Sequence, residues 1–307
     1  MKNALLFSGQ GSQYVGMIKS LYDNYDLAKS LVDRADEILG YKLSQICFEG
    51  PVEKLKETRY TQPAIFLHSA VLFDLLKDKI DYSATAGHSV GEYAALYAAG
   101  VLSFEDALSL VSQRGQLMFF AGETLPGTMF AVINLADDKL ESLCRELSEQ
   151  GNKDIIVPAN YNSPGQIVIS GSAEYLRANA HKFKEAGARI VTELVVSGAF
   201  HSPLMEPAKK ELESTINNIS FSESSVPVYS NVYAKALTNA DEIKAALISQ
   251  LTSPVMWAQS LKQMQIDGID SYLELGPGNV LQGLVKRTLK DVEISGADKA
   301  EDLQKFS

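Results

Sequence analysis

Short apolar runs alternate along the chain with segments of helical periodicity. Residues 4–7 and 82–87 read as buried strands, the first followed by a helix from about Ser12 and the second by a helix from Gly91. Helix starts are marked by Pro63 after Thr61-Gln62, by Phe104-Glu105-Asp106 after Ser103, and by Pro203 after Ser202. These residues satisfy or tolerate the unpaired amides of a first turn. Strand followed by helix, repeated, predicts α/β layers.

One stretch carries its own pattern. It reads as strand 128–134, helix 137–150, strand 155–160, strand 166–170, helix 173–186 and strand 189–194. That is the β-α-β-β-α-β order of a ferredoxin-like subdomain. Asn162-Ser163-Pro164-Gly165 supplies the hairpin turn, since proline presets one φ and glycine permits a positive one. The expected organisation is a large α/β core of residues 1–126 and 195–307, with residues 127–194 as a small inserted subdomain.

A chain of 307 residues is long enough to bury a sizeable core without staples. Its net charge of -10 has the wrong sign for gripping nucleic acid or anionic lipid, so both are set aside as partners. Cys47 and Cys144 form no C-x-x-C pair, which argues against a disulfide framework or a zinc knuckle. No metal is expected, and a reducing cytoplasm fits best. The apolar run 4–7 is too short for a signal-peptide core, and no run approaches a membrane span.

Chemistry concentrates at Gly87-His88-Ser89-Val90-Gly91, a G-x-S-x-G pattern entered by an apolar strand and left by a helix of small residues. That context is a nucleophile elbow, in which the serine is lifted clear at a helix N-terminus. It adds a hydrolase-like character to the parallel-sheet core. The plainer reading is a glycine-rich turn whose serine caps the helix. A serine nucleophile needs a base, and the candidates are His68, His88, His181 and His201. His68 sits among apolar helix residues and His181 in a polar stretch. His88 adjoins Ser89 but should point to the opposite face and pack under the turn. His201 lies on a loop at a strand exit, where function is often carried, and is preferred. Arg114 shares a helical stripe with Ala107, Leu110, Val111, Leu117 and Met118. A cation there needs an anion, either a substrate carboxylate or a structural Asp or Glu, and spacing alone leaves both open. A dinucleotide-binding reading of Gly9-Gln10-Gly11 fails, because the third glycine of G-x-G-x-x-G would fall at Tyr14.

Over nearly its whole length the chain resembles the malonyl-CoA:acyl carrier protein transacylase family of fatty-acid synthesis. The segments that carry the resemblance begin with Phe7-Ser8-Gly9-Gln10-Gly11-Ser12-Gln13, Tyr60-Thr61-Gln62-Pro63-Ala64 and the elbow continued through Glu92-Tyr93. Gln113-Arg114-Gly115, Asn160-Tyr161-Asn162-Ser163-Pro164-Gly165-Gln166, Gly198-Ala199-Phe200-His201-Ser202 and Glu274-Leu275-Gly276-Pro277-Gly278 complete the set.

The resemblance implies that Ser89 is the acylated nucleophile, His201 its base and Arg114 the clamp on the malonyl carboxylate. It implies that the oxyanion hole is formed by the backbone amides of Gln10 and Val90, and that a main-chain carbonyl, by position Gln250, holds the histidine. Met118, Asn160 and Phe200 become substrate-binding residues. Phe200 and Val90 match members that accept malonyl rather than its methyl-branched analogue. The chain departs from the family at Ser8, where proline is more common, and a change in loop stiffness is expected. Malonyl-CoA and acyl carrier protein are the implied partners, with no further cofactor and a monomeric enzyme. Arg189, Lys286 and Arg287 are candidates for docking the acidic carrier, although each also reads as a solvated terminus. A discrete malonyl transferase of a polyketide pathway and a serine thioesterase or esterase are the alternatives.

Overall fold

The computed structural model describes residues 2–306. In chain order its strands are β1 (Asn3–Phe7), β2 (Ala84–Gly87), β3 (Gly127–Ile133), β4 (Ile156–Ser163), β5 (Gln166–Ser172), β6 (Ile190–Glu193), β7 (Val228–Tyr229), β8 (Ala236–Leu237), β9 (Ser271–Leu275) and β10 (Glu293–Ala297). The first sheet has the order β10-β9-β1-β2-β7-β8, parallel except for β8.

β1 is central and buried on both faces, which explains its unbroken apolar sequence. Because side chains alternate along a strand, Leu5 and Phe7 enter one core and Ala4 and Leu6 the other. The first core lies under the helices Thr58–Leu76, Gly91–Ala98 and Phe104–Thr124. The second lies under the helices Trp257–Ile266 and Val280–Thr288. Full burial of a leucine such as Leu5 or Leu6 stabilises the fold by about 1.5–3 kcal/mol.

The second sheet is antiparallel, in the order β4-β5-β3-β6, with its own core against the helices Asp137–Gln150 and Ala173–Glu185. Numbered within the unit, its strands run 2-3-1-4, the ferredoxin-like arrangement that the element order predicts. Gly165, with φ of 70°, makes the β4–β5 turn. The Tyr161 amide donates to the Val255 carbonyl (2.9 Å) and the Val255 amide to the Ala159 carbonyl (2.8 Å). The Met256 amide donates in turn to the Asn231 carbonyl (2.8 Å), so β4 is held close to the ends of β2 and β7. A site can therefore form between the two sheets.

Two expected helix starts are corrected. The helix after β1 begins at Lys19, not near Ser12. Gly11, Gly16 and Ile18 take positive φ, and the Ser12 hydroxyl donates to the Gly9 carbonyl (2.7 Å), so the intervening chain is a folded loop. Pro63 is not at a helix start but inside the helix Thr58–Leu76. The helix opens where Glu57, in extended conformation, accepts from the Thr61 amide (2.9 Å), a full turn before the proline. Ser103 and Ser202 cap as expected, accepting from the Asp106 and Leu204 amides.

Candidate active site

The elbow is possible because two glycines let β2, its helix and β1 approach closely. A Cβ on Gly87 would lie 1.9 Å from the Gly91 carbonyl carbon, and one on Gly91 would lie 2.2 Å from the Phe7 carbonyl oxygen. Between them Ser89 takes φ of 53°, a left-handed conformation that costs a non-glycine residue about 1–3 kcal/mol and is found at functional sites. His201 is held in the same region, at φ of 56°.

Ser89, His201, Gln250 and Arg114 converge. His201 Nε2 is 2.8 Å from Ser89 Oγ, and His201 Nδ1 is 3.0 Å from the Gln250 carbonyl oxygen. That carbonyl can only accept, so Nδ1 carries the proton and Nε2 presents its lone pair to the serine hydroxyl. Arg114 Nη2 donates to Ser89 Oγ (3.0 Å) and Gln250 Oε1 (2.9 Å), while Nη1 donates to Gln62 Oε1 (2.7 Å). The guanidinium is fully buried, 5.7 Å above the Tyr93 ring. Among the described residues no carboxylate lies within ion-pair distance of it. The acid that completes the network is Glu92, which accepts from Gln250 Nε2 (2.6 Å) and so meets Arg114 only through an amide. Burial pushes Glu92 up to about 7, and burial also lowers Arg114. The structural ion pair left open by spacing is therefore not formed.

Burial, and then the Arg114 charge, hold His201 down at about 3. A histidine lowered in this way stays neutral as the pH falls through its ordinary value, and gains a proton only far below it. The reactivity of Ser89 toward an acyl thioester at pH 5.5 should thus stay within about threefold of that at pH 7.5, measured in single-turnover quench experiments. A solvated imidazole near 6.5 would lose about tenfold over the same range, which would contradict this geometry.

A cavity of about 160 Å³ opens on Ser89 and His201, lined also by Gln10, Met118, Asn160 and Phe200. The amides of Gln10 and Val90 donate to no group among the described residues. His88 points away from the serine, its ring 5.5 Å from that of Trp257 and its Nε2 2.8 Å from Asn162 Oδ1. His68 is wholly buried against the Asp298 carbonyl (2.7 Å), and His181 is exposed. Ser8 donates to the buried Glu274 (3.0 Å), a bond proline could not make, and Glu274 also accepts from the Leu281 and Gln282 amides. Arg189, Lys286 and Arg287 are exposed and lie outside this constellation. Arg287 donates to Gln166 (3.0 Å), which lines an adjoining cavity of about 120 Å³ that shares Gln10, His88 and Asn162 with the first.

Sequence reasoning missed Gln62, Glu92 and Asn231. Gln62 and Glu92 fall within motif segments and could have been flagged as polar residues at buried helix positions. Asn231 sits in an ordinary loop and carried no signal. Among the described residues no group of three or more His, Cys, Asp or Glu is placed to hold a metal ion. No helix among them is long and apolar enough to cross a membrane.

Residues 4–305 match the acyl transferase domain family. A malonyl CoA-acyl carrier protein transacylase of Bacillus subtilis is 42% identical over 304 residues, covering 98% of this chain and 95% of that protein. The crystal structure of an acyl carrier protein S-malonyltransferase from Vibrio cholerae superposes with a TM-score of 0.94 at 39% identity, over 100% of both chains. A malonyl-transacylase solved in complex with its type II PKS acyl-carrier protein superposes equally, at 0.94 and 35% identity, over 100% of this chain and 99% of that one. With the elbow serine and its histidine lining one cavity and the buried arginine bonded to that serine, the chain belongs to the malonyl-CoA:acyl carrier protein transacylase family of acyltransferases.

Proposed function

We propose that this enzyme moves malonyl from malonyl-CoA to the phosphopantetheine thiol of acyl carrier protein through a malonyl ester on Ser89, supplying fatty-acid elongation. The observation that carries the proposal is Arg114: a buried guanidinium beside the nucleophile, with neutral acceptors only. Such a fork is satisfied by a carboxylate that arrives with the acyl group.

In the first half-reaction Ser89 Oγ attacks the thioester carbon while His201 Nε2 takes its proton. The oxyanion is held by the Gln10 and Val90 amides, the carbon–sulfur bond breaks, and the departing thiol receives the proton from His201. In the second, the carrier thiol gives its proton to His201 and attacks the ester, and Ser89 Oγ regains a proton as it leaves. Arg114 keeps the carboxylate oriented through both, with Met118, Asn160 and Phe200 enclosing the acyl group. The carrier approaches over the exposed Lys286 and Arg287, the latter bonded to Gln166 of the adjoining cavity, with the exposed Arg189 as a further contact.

The test follows the fate of the acyl group. Enzyme loaded with malonyl-CoA should gain one malonyl by intact mass and pass it to added holo-carrier, with free malonate a minor product. Release mainly as malonate would make the enzyme a thioesterase and overturn the transferase reading. Lys286→Glu with Arg287→Glu should raise the carrier KM about tenfold and leave malonyl-CoA loading unchanged. An unchanged carrier KM removes that docking face. A polyketide carrier is the second reading, favoured by the likeness to a transacylase bound to such a carrier. Transfer rates to the two carrier types separate them.

A further inference from the structure

Asn231 follows β7 directly, and the register explains where it stands. Tyr229 pairs in parallel with Ala86, so two residues on, where β2 turns into the elbow, Asn231 lies beside that turn. Its side chain is 1% exposed and spans the turn with both ends of its amide. Oδ1 accepts from the Ser89 amide (2.7 Å), and Nδ2 donates to the Gly87 carbonyl (2.7 Å). Its own backbone amide donates to Glu92 Oε2 (3.4 Å), which accepts from Gln250, the residue whose carbonyl holds His201. One side chain thus bridges His88, from the Gly87 carbonyl to the nucleophile's own amide, and its main chain joins the network behind the base.

We infer that Asn231 is a positioning residue for acyl transfer: it clamps the Gly87–Ser89 turn so that Ser89 keeps its left-handed backbone and its hydroxyl stays on His201. Two consequences support this. A non-glycine residue at φ of 53° persists only where its surroundings over-determine it, and two short bonds from a fully buried side chain do that. Because the Ser89 amide is taken by Asn231, the next free amide is that of Val90, which is the one left to face a developing oxyanion. The inference rests on the reading of Ser89 as the acylated nucleophile.

Asn231→Ala and Asn231→Asp, read by single-turnover malonylation at Ser89, test it. The alanine variant should load about 50-fold more slowly, with the half-saturating malonyl-CoA concentration moved less than about threefold, since the clamp does not touch substrate. The aspartate variant carries a pH signature. Ionised, it still accepts from the Ser89 amide but repels the Gly87 carbonyl; protonated, it reproduces both asparagine bonds. Its loading rate should therefore rise toward wild type as the pH falls from 7.5 to 5.5. The charged or titratable groups around the turn, Glu92, His88, His201 and Arg114, are common to both proteins, so a rise confined to the variant reports on the new carboxyl. A side chain that only stabilises the fold would lower the thermal midpoint and leave these rates in place. If Asn231→Ala does not fold, the aspartate profile decides alone: a profile parallel to wild type overturns the clamp, as does alanine loading within about threefold of wild type. Absence of any malonyl adduct on wild-type Ser89 would instead remove the nucleophile reading itself.

Discussion

Ser89→Ala is expected to lower malonyl transfer by at least about 10⁴-fold and to erase the malonyl adduct from the intact protein, with the fold intact. The size follows from how the site is built. His201, neutral because of its burial, presents Nε2 2.8 Å from the serine hydroxyl and in the proposed mechanism takes its proton. Without that hydroxyl there is no covalent intermediate, and neither the amides of Gln10 and Val90 nor Arg114 can act on a bond that is never attacked. Binding should survive, because only Oγ is lost from the cavity and its other walls are unchanged, so malonyl-CoA should still protect the variant against thermal unfolding. Removal of Oγ also relieves no strain, since alanine carries the same Cβ at φ of 53°. The measurement is intact mass after incubation with malonyl-CoA, together with steady-state transfer to the carrier. A persisting adduct of one malonyl on Ser89→Ala would show that another side chain is the acyl acceptor and would sink the mechanism.

How far each part could be foreseen depends on whether its cause is local. The Ser89 elbow is local: two glycines, a strand before and a helix after lie within one short segment, so the turn was legible. The order of elements in the second sheet was legible too, because alternating periodicity separates its strands from its helices and the Pro164-Gly165 turn marks the hairpin. His201 emerged by elimination and by its place after a strand, which is weaker. Arg114 could be seen to be buried, but its partner could not be named, because Gln62, Ser89 and Gln250 approach it from distant parts of the chain. Asn231 lies beyond such reasoning. Its role exists only because β7 pairs with β2, a register that nothing in the two-residue strand Val228–Tyr229 announces. The misplaced helix starts have the same origin. Gly11 and Gly16 keep the segment after β1 as a loop, and the Thr58–Leu76 helix runs through Pro63 inside the main core.

Those distant partners also give the site its electrostatic character. Glu92 is the acid nearest the Arg114 network, yet burial favours its neutral form and it meets Arg114 only through Gln250, which leaves it a poor counter-ion. Arg114 is thus a cation without a full partner, within hydrogen-bond distance of the serine that the proposed mechanism acylates. A buried charge of this kind is costly in the free enzyme and is stabilised when an anion binds. The same positive charge disfavours protonated His201, which keeps the base neutral until the transition state supplies negative charge at the serine.

Arg114→Ala should accordingly slow malonyl loading about 10³-fold and acetyl loading far less. A desolvated, bidentate arginine–carboxylate contact is worth about 3–5 kcal/mol when one partner is removed, which spans about 10²–10⁴-fold in rate. Acetyl-CoA offers no carboxylate, so wild type must leave the guanidinium unpaired to accept it, and the alanine variant carries no such burden. Both substrates will feel the loss of the bonds to Ser89 Oγ, Gln62 and Gln250, so the ratio of the two loading rates is the informative quantity. Arg114→Lys should fall between, because an ammonium keeps the charge but not the planar fork. Single-turnover loading with each acyl-CoA, on variants whose thermal midpoints have been checked, gives the ratio directly. Equal slowing of malonyl and acetyl would mean that Arg114 serves the serine and its neighbours alone, and the carboxylate clamp would be lost. A ratio that collapses toward one while the Ser89 adduct still forms would place the selectivity of the enzyme in this single buried charge.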